Sequence, residues 1–128
     1  MQKAKILLID DEKALLNLLR ENLQAEGYEV ITASDGEEGL KKAQNEKPDL
    51  VICDVIMPKK DGFEVLKVLR QNTKFQVPFI MLTVVNDFEK IKKAYYEEAD
   101  FYVTKPVKLA KLVKNIQILL NISKNKIT

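Results

Sequence analysis

The sequence predicts an α/β domain: a five-stranded parallel sheet with helices on both faces. Two observations point there. Short apolar runs alternate five times with segments whose apolar residues recur at helical spacing. Four of the runs also end at residues able to do chemistry: Asp10-Asp11, Asp54, Thr83 and Lys105. Right-handed crossovers bring the carboxyl ends of parallel strands to one edge, where such sheets place their ligands.

The first run, Ala4 to Ile9, stops at Asp10-Asp11. Leu15, Leu18, Leu19 and Leu23 then mark one face of a helix that ends at Gly27. Tyr28 to Ala33 is short and β-branched, and Ser34-Asp35-Gly36 turns into a second helix reaching about Glu46. Asp49 to Cys53 is almost unbroken apolar sequence, the mark of a strand buried on both faces, and it stops at Asp54. Met57-Pro58 cannot continue a ladder. Asp61-Gly62 opens a third helix carrying Phe63, Val65, Leu66 and Leu69, with Asp61 and Glu64 at capping-box spacing. Val77 to Leu82 is the fourth strand and leads to Thr83. A thin stripe of Phe88, Ile91 and Tyr95 predicts a helix over Asn86 to Glu97. Phe101 to Val103 is the fifth strand, closed by Thr104-Lys105-Pro106, and Leu109, Leu112, Val113, Ile116, Leu119 and Leu120 line the last helix. One domain is expected over 1–122, with 123–128 a polar, lysine-rich tail.

Composition narrows the functions. The chain has 128 residues, enough to bury roughly two thirds of its extended surface. Its 21 Lys and Arg stand against 19 acids, and this small excess is scattered over helix faces, which argues against direct nucleic-acid or membrane binding. There is no histidine, which removes Ser-His-Asp triads, His-ligated zinc and a histidine relay within the chain. Cys53 has no partner for a disulfide and reads as a packed core thiol. The opening MQKAKILLID has too short an apolar run for a signal peptide or spanning helix, so a reducing cytoplasm is expected.

Three carboxylates crowded at one edge must hold protons or share a cation. Oxygen donors with room for water and phosphate oxygens suit Mg²⁺. A carboxylate beside such an ion can accept a phosphoryl group, with Lys105 supplying charge compensation and Thr83 a hydrogen bond. Plainer roles are open to each residue taken singly. Asp10 or Asp11 could cap the first helix, Asp54 could form an Asx turn, and Lys105 could be a solvated charge. Their joint placement at one edge favours the phosphoryl reading.

The chain resembles the receiver domains of two-component response regulators from about Lys3 to Leu120. The motifs that carry the resemblance are LLIDDEK, GYEVITASDGEEGL, PDLVICDVIMPKKDG, PFIMLT and YVTKP. It implies a flavodoxin-like doubly wound sheet in strand order 2-1-3-4-5. It implies that Asp54 is the phosphoacceptor. Asp11 and Asp54 would touch Mg²⁺ directly, Asp10 often through water, and the Ile56 backbone carbonyl would be the third protein ligand. Thr83 and Lys105 match the pair that grips the phosphoryl group, Tyr102 the aromatic that swings inward, and Lys105-Pro106 a cis bond. The implied function is a phosphorylation-activated switch, not an enzyme beyond its own phosphorylation and dephosphorylation. It would be fed by a sensor histidine kinase or phosphotransfer protein and read by an effector protein or an output domain.

The chain departs from the family pattern at Val84, Glu98 and Phe101 and in the last helix. Val84 follows Thr83 where a small residue is usual and should crowd the approach to Asp54. Glu98 stands where glycine is common. The last helix lacks the arginine, and Phe101 and Asp100 the acid pair, of regulators that dimerise through that face, so that dimer is not expected. An unphosphorylated receiver-like interaction module is the alternative, supported only by Val84. A phosphatase with an aspartate nucleophile would want a second acid at Ile56, and a flavin site would be repelled by Asp10-Asp11-Glu12.

Overall fold

The computed structural model describes residues 3–57, 59–72, 75–84 and 99–126, with backbone only for 123–126. The expected helix over Asn86 to Glu97, and Glu98, lie outside the described residues. In chain order the elements are β1 (Lys5–Ile9), α1 (Lys13–Ala25), β2 (Glu29–Ala33), α2 (Gly36–Glu46), β3 (Leu50–Asp54), α3 (Gly62–Gln71), β4 (Phe79–Thr83), β5 (Phe101–Thr104) and α4 (Leu109–Lys126). All ladders are parallel, in the order β2-β1-β3-β4-β5. The order implied by the resemblance is the one observed.

The two faces of the sheet divide the core as strand alternation requires. Ile6, Leu8, Leu50, Ile52, Ile80, Leu82 and Val103 face α1 and α4, meeting Leu16, Leu19 and Leu23 of the first and Leu112, Val113, Ile116 and Leu119 of the second. Leu7, Ile9, Val51, Cys53, Phe79 and Met81 face the other way, onto Ala43 of α2 and Phe63, Val65, Leu66 and Leu69 of α3. Each fully buried leucine in these layers contributes about 1.5–3 kcal/mol. Cys53 is wholly buried, as its apolar surroundings predicted.

Helix ends show local chemistry at work. The α1 chain reverses through Gly27 at φ 98°, with Gly27 N–H donating to Gln24 O and Tyr28 N–H to Leu23 O, a Schellman closure. Asp61 and Glu64 form the reciprocal capping box at the start of α3. Neither Asp10 nor Asp11 is the N-cap of α1. That position falls to Glu12, whose side chain makes no capping bond. The last helix runs on through Lys126, so residues 123–126, expected in a polar tail, have helical backbone.

Gly62 sits directly beneath the end of β3. Its amide donates to Val55 O at 2.8 Å. A Cβ there would overlap the Asp54 carbonyl oxygen and stand 2.7 Å from Met81 Sδ. The start of α3 is therefore pressed against the backbone that aims Asp54. Gly62→Ala should cost about 1–3 kcal/mol of stability through overpacking. Urea denaturation would show this as a lowered midpoint, and an unchanged midpoint would contradict the close approach.

Candidate functional site

Ladder register gathers the sequence-predicted residues on one edge. Ile9 pairs with Cys53 and Asp54 with Leu82, so Asp10, Asp54 and Thr83 leave three neighbouring strands side by side. Thr83 pairs with Thr104, and Lys105 follows. A bond from the Lys105 amide to Thr83 O, 2.6 Å long, closes the edge between β4 and β5. The Lys105-Pro106 peptide is cis.

Asp10 is 2% exposed and Asp54 7%, while Asp11 is exposed. One carboxylate oxygen of each of the three lies within 4.8 Å of the others. Two buried acids this close are costly unless compensated. Lys105 supplies compensation, its Nζ lying 3.2 Å from Asp10 Oδ2 and 3.3 Å from Asp54 Oδ1. Asp10 uses its other oxygen, Oδ1, to accept the Glu12 amide at 2.9 Å. The acid proposed as a possible helix cap is instead shared between the backbone and the lysine.

Protonation follows from this arrangement. Burial first, then repulsion from Asp10, pushes Asp54 up to about 6, and the Lys105 ammonium only partly opposes them. Burial pulls Lys105 down, but Asp10 and Asp54 outweigh it and hold its pKa above the ordinary lysine value. The lysine is thus a fixed cation, and Asp54 is the group whose charge is unsettled. A hard cation suits this balance: three carboxylates offer oxygen alone, and among the described residues one ammonium, Lys105, offsets them.

Other predicted residues lie around this centre. Thr83 is 1% exposed, and its hydroxyl donates to Val84 O at 3.2 Å. Ile56 is in the loop just after Asp54, and its side chain is 49% exposed. Tyr102 pairs with Met81 in the sheet, three residues before Lys105, and packs against the α2–α3 side of the core. Its hydroxyl is buried and makes no hydrogen bond of ordinary geometry among the described residues. Burial raises its pKa, the nearby Ala99 amide offsets part of that, and Asp100 adds to it.

Two arrangements went unpredicted. Asp100 does not stand ready for a partner: its Oδ2 accepts the Phe79 amide at 2.7 Å and pairs with Arg70 Nη2 at 3.2 Å. Arg70 Nη1 also donates to Val77 O at 2.7 Å, tying the end of α3 to the starts of β4 and β5. In the loop after β3, Lys59 reaches Asp35, and no local pattern signals a pair 24 positions apart.

Known proteins are similar to this chain in sequence and fold. The response regulator receiver domain family matches residues 6–117. The alkaline phosphatase synthesis transcriptional regulatory protein PhoP of Bacillus subtilis (strain 168) is 53% identical over 103 residues, covering 80% of this chain and 42% of that protein. The probable transcriptional regulator ycf27 of Cyanophora paradoxa is 42% identical over 125 residues, covering 98% and 52%. The chain thus spans about half the length of these curated relatives. A CheY-like receiver domain structure from Methanospirillum hungatei superposes with a TM-score of 0.91 at 30% identity, covering 98% of this chain and 99% of that one. Among the described residues no helix is long and apolar enough to cross a membrane.

The raised Asp54 has a definite sign in stability. Its folded value, about 6, exceeds its ordinary 3.8, so the native state binds the proton more tightly. That contribution is fully present below pH 3.8 and is lost as pH rises through 6, leaving ionised Asp54 a burden of at most about 3 kcal/mol above it. Without divalent ions, Asp54→Asn should therefore stabilise the protein at pH 8, and the gain should shrink toward zero by pH 4. Denaturant titrations at both pH values check this; a destabilised variant at pH 8 would contradict it.

Proposed function

Because the chain belongs to the response regulator receiver domain family, we propose that it is a phosphorylation-activated switch that accepts a phosphoryl group on Asp54. The observation that carries this reading is the buried Asp54 carboxylate, grouped with Asp10 and Asp11 and held 3.3 Å from Lys105. The donor would be a phosphohistidine of a sensor kinase or phosphotransfer protein. The receiver of the signal would be an effector protein or an output domain, in keeping with the regulators of which it spans about half the length.

Asp10, Asp11, Asp54 and the Ile56 carbonyl would hold Mg²⁺, which when bound supplies charge neutralisation to the carboxylates and to the phosphoryl oxygens. With a pKa near 6, Asp54 is mostly ionised at neutral pH and able to act as nucleophile. Its oxygen forms the new O–P bond as the donor's P–N bond breaks. The electron pair of that bond leaves on the imidazole nitrogen, which takes a proton from solvent. Lys105, already between Asp10 and Asp54, moves its ammonium onto a phosphoryl oxygen as the Asp54 carboxylate becomes an acyl phosphate.

Thr83 then exchanges one acceptor for another. Its hydroxyl leaves Val84 O and donates to a phosphoryl oxygen, a rotation about one side-chain bond. Tyr102, whose buried hydroxyl has no hydrogen bond of ordinary geometry among the described residues, is the neighbouring group on β5 that would respond. A local change of charge is thereby converted into a change of surface.

Incubation with Mg²⁺ and acetyl phosphate should add the mass of one phosphoryl group to the intact protein, and Asp54→Asn should show none. A folded parent that takes up no phosphoryl group under these conditions would overturn the reading. Val84 is half-buried beside Thr83. Removing about 1 kcal/mol of crowding with Val84→Ala should speed phosphoryl uptake and loss about fivefold each. Unchanged rates for both would show that Val84 does not obstruct the site.

A further inference from the structure

The loop from Val55 to Asp61 leaves β3 at Asp54 and contains Ile56, whose carbonyl is the proposed backbone ligand. Its far end is fastened by the Gly62 amide on Val55 O, 2.8 Å away, and by the Asp61 capping box. Those bonds set where the loop closes. They leave its outer part to be held from the side.

That support comes from the start of α2. Lys59 Nζ lies 3.6 Å from Asp35 Oδ2. Asp35 keeps its other oxygen, Oδ1, on the Glu38 amide at 2.9 Å, so a single carboxylate caps α2 and grips the loop. Behind the ion pair the two backbones touch: a Cβ on Gly36 would overlap Lys60 O and stand 2.7 Å from Lys60 Cβ. Lys59 itself has φ 70°, in the left-handed region that disfavours residues other than glycine. A lysine in that conformation projects its side chain in a direction fixed by the shape of the loop.

We propose that the Asp35–Lys59 pair, backed by the Gly36–Lys60 contact, is a lateral brace that sets how the β3–α3 loop presents its backbone to the cation. Asp35 and Lys59 are then positioning residues for Mg²⁺ binding, although neither belongs to the acidic cluster. The inference rests on the Mg²⁺ role proposed above for Asp10, Asp11 and Asp54. The pair is well placed for such a role, because it joins the cap of one helix to the loop that precedes the next. It is also modest in strength, since the Lys59 side chain is 59% exposed and solvent screens it.

Charge and geometry make opposite forecasts here. If the two residues acted only through long-range charge, Asp35→Asn would weaken Mg²⁺ binding and Lys59→Gln would strengthen it. If they act as a brace, both substitutions release the loop and both weaken binding. Asparagine caps a helix as well as aspartate does, so Asp35→Asn removes the ion pair and keeps the start of α2.

The experiment is calorimetric titration of Mg²⁺ into the full chain, without phosphodonor, for the parent, Asp35→Asn, Lys59→Gln, the double variant and Lys59→Arg. Thermal unfolding without Mg²⁺ runs beside it to verify folding. The brace predicts that each single variant weakens Mg²⁺ binding about two- to fivefold, the range open to an exposed ion pair. The double variant should be no weaker than the weaker single one, and Lys59→Arg should bind as the parent does. Opposite signs for the two single variants, or no change in either, would overturn the brace while leaving the site intact. A folded parent that binds no Mg²⁺ would overturn the cation reading itself and the brace with it.

Discussion

The structure depends on a charge imbalance at the end of the sheet. Asp10 and Asp54 are buried side by side, and one ammonium, Lys105, stands between them with Asp11 at the rim. A buried acid pair without compensation would favour protonation or local opening, whereas a full set of counter-charges would leave the site inert. Here the compensation is partial. Asp54, its pKa pushed up to about 6, is consequently the group that, in the proposed switch, would respond to newly arrived charge, whether proton, metal ion or phosphoryl group.

The fold serves to hold that imbalance in place. Four of the five parallel strands deliver the acids, the hydroxyl and the lysine to one edge from points almost a hundred residues apart in the chain. Two apolar layers keep the strand ends from spreading. Gly62 lets α3 begin directly under Asp54, so movement of the Asp54 backbone is resisted by a helix start as well as by the sheet. At the opposite edge, Arg70 and Asp100 lock the starts of β4 and β5 to α3. The proposed moving parts, Thr83 and Tyr102, lie between this rigid base and the charged rim.

Much of this was legible in the sequence, because it rests on local patterns. Alternating runs located the five strands, and the residue types at their ends marked the residues that the fold brings together at one edge. Boundaries were less legible. The fourth strand begins at Phe79 and not at Val77, since Pro78 has no amide to give and the ladder starts where the Phe79 amide meets Asp100. Residues 123–126 read as tail because they are polar, yet Ser, Lys and Asn cost a helix little once it is running. The order of the strands needed the family resemblance, because periodicity does not say which strands are neighbours. Pairs such as Arg70 with Asp100 and Lys59 with Asp35 were illegible, since ordinary surface charges carry no mark of the distant partner that the fold assigns them.

The most direct test is the titration of the Asp54 side-chain carboxyl by carbon-13 NMR, with and without saturating Mg²⁺. Without the ion its pKa should lie near 6. With the ion it should fall below the ordinary aspartate value of 3.8, because a divalent charge would then outweigh both burial and Asp10. An Asp54 that titrates near 3.8 in both conditions would mean that Lys105 alone already satisfies the cluster, contradicting the imbalance on which the account stands.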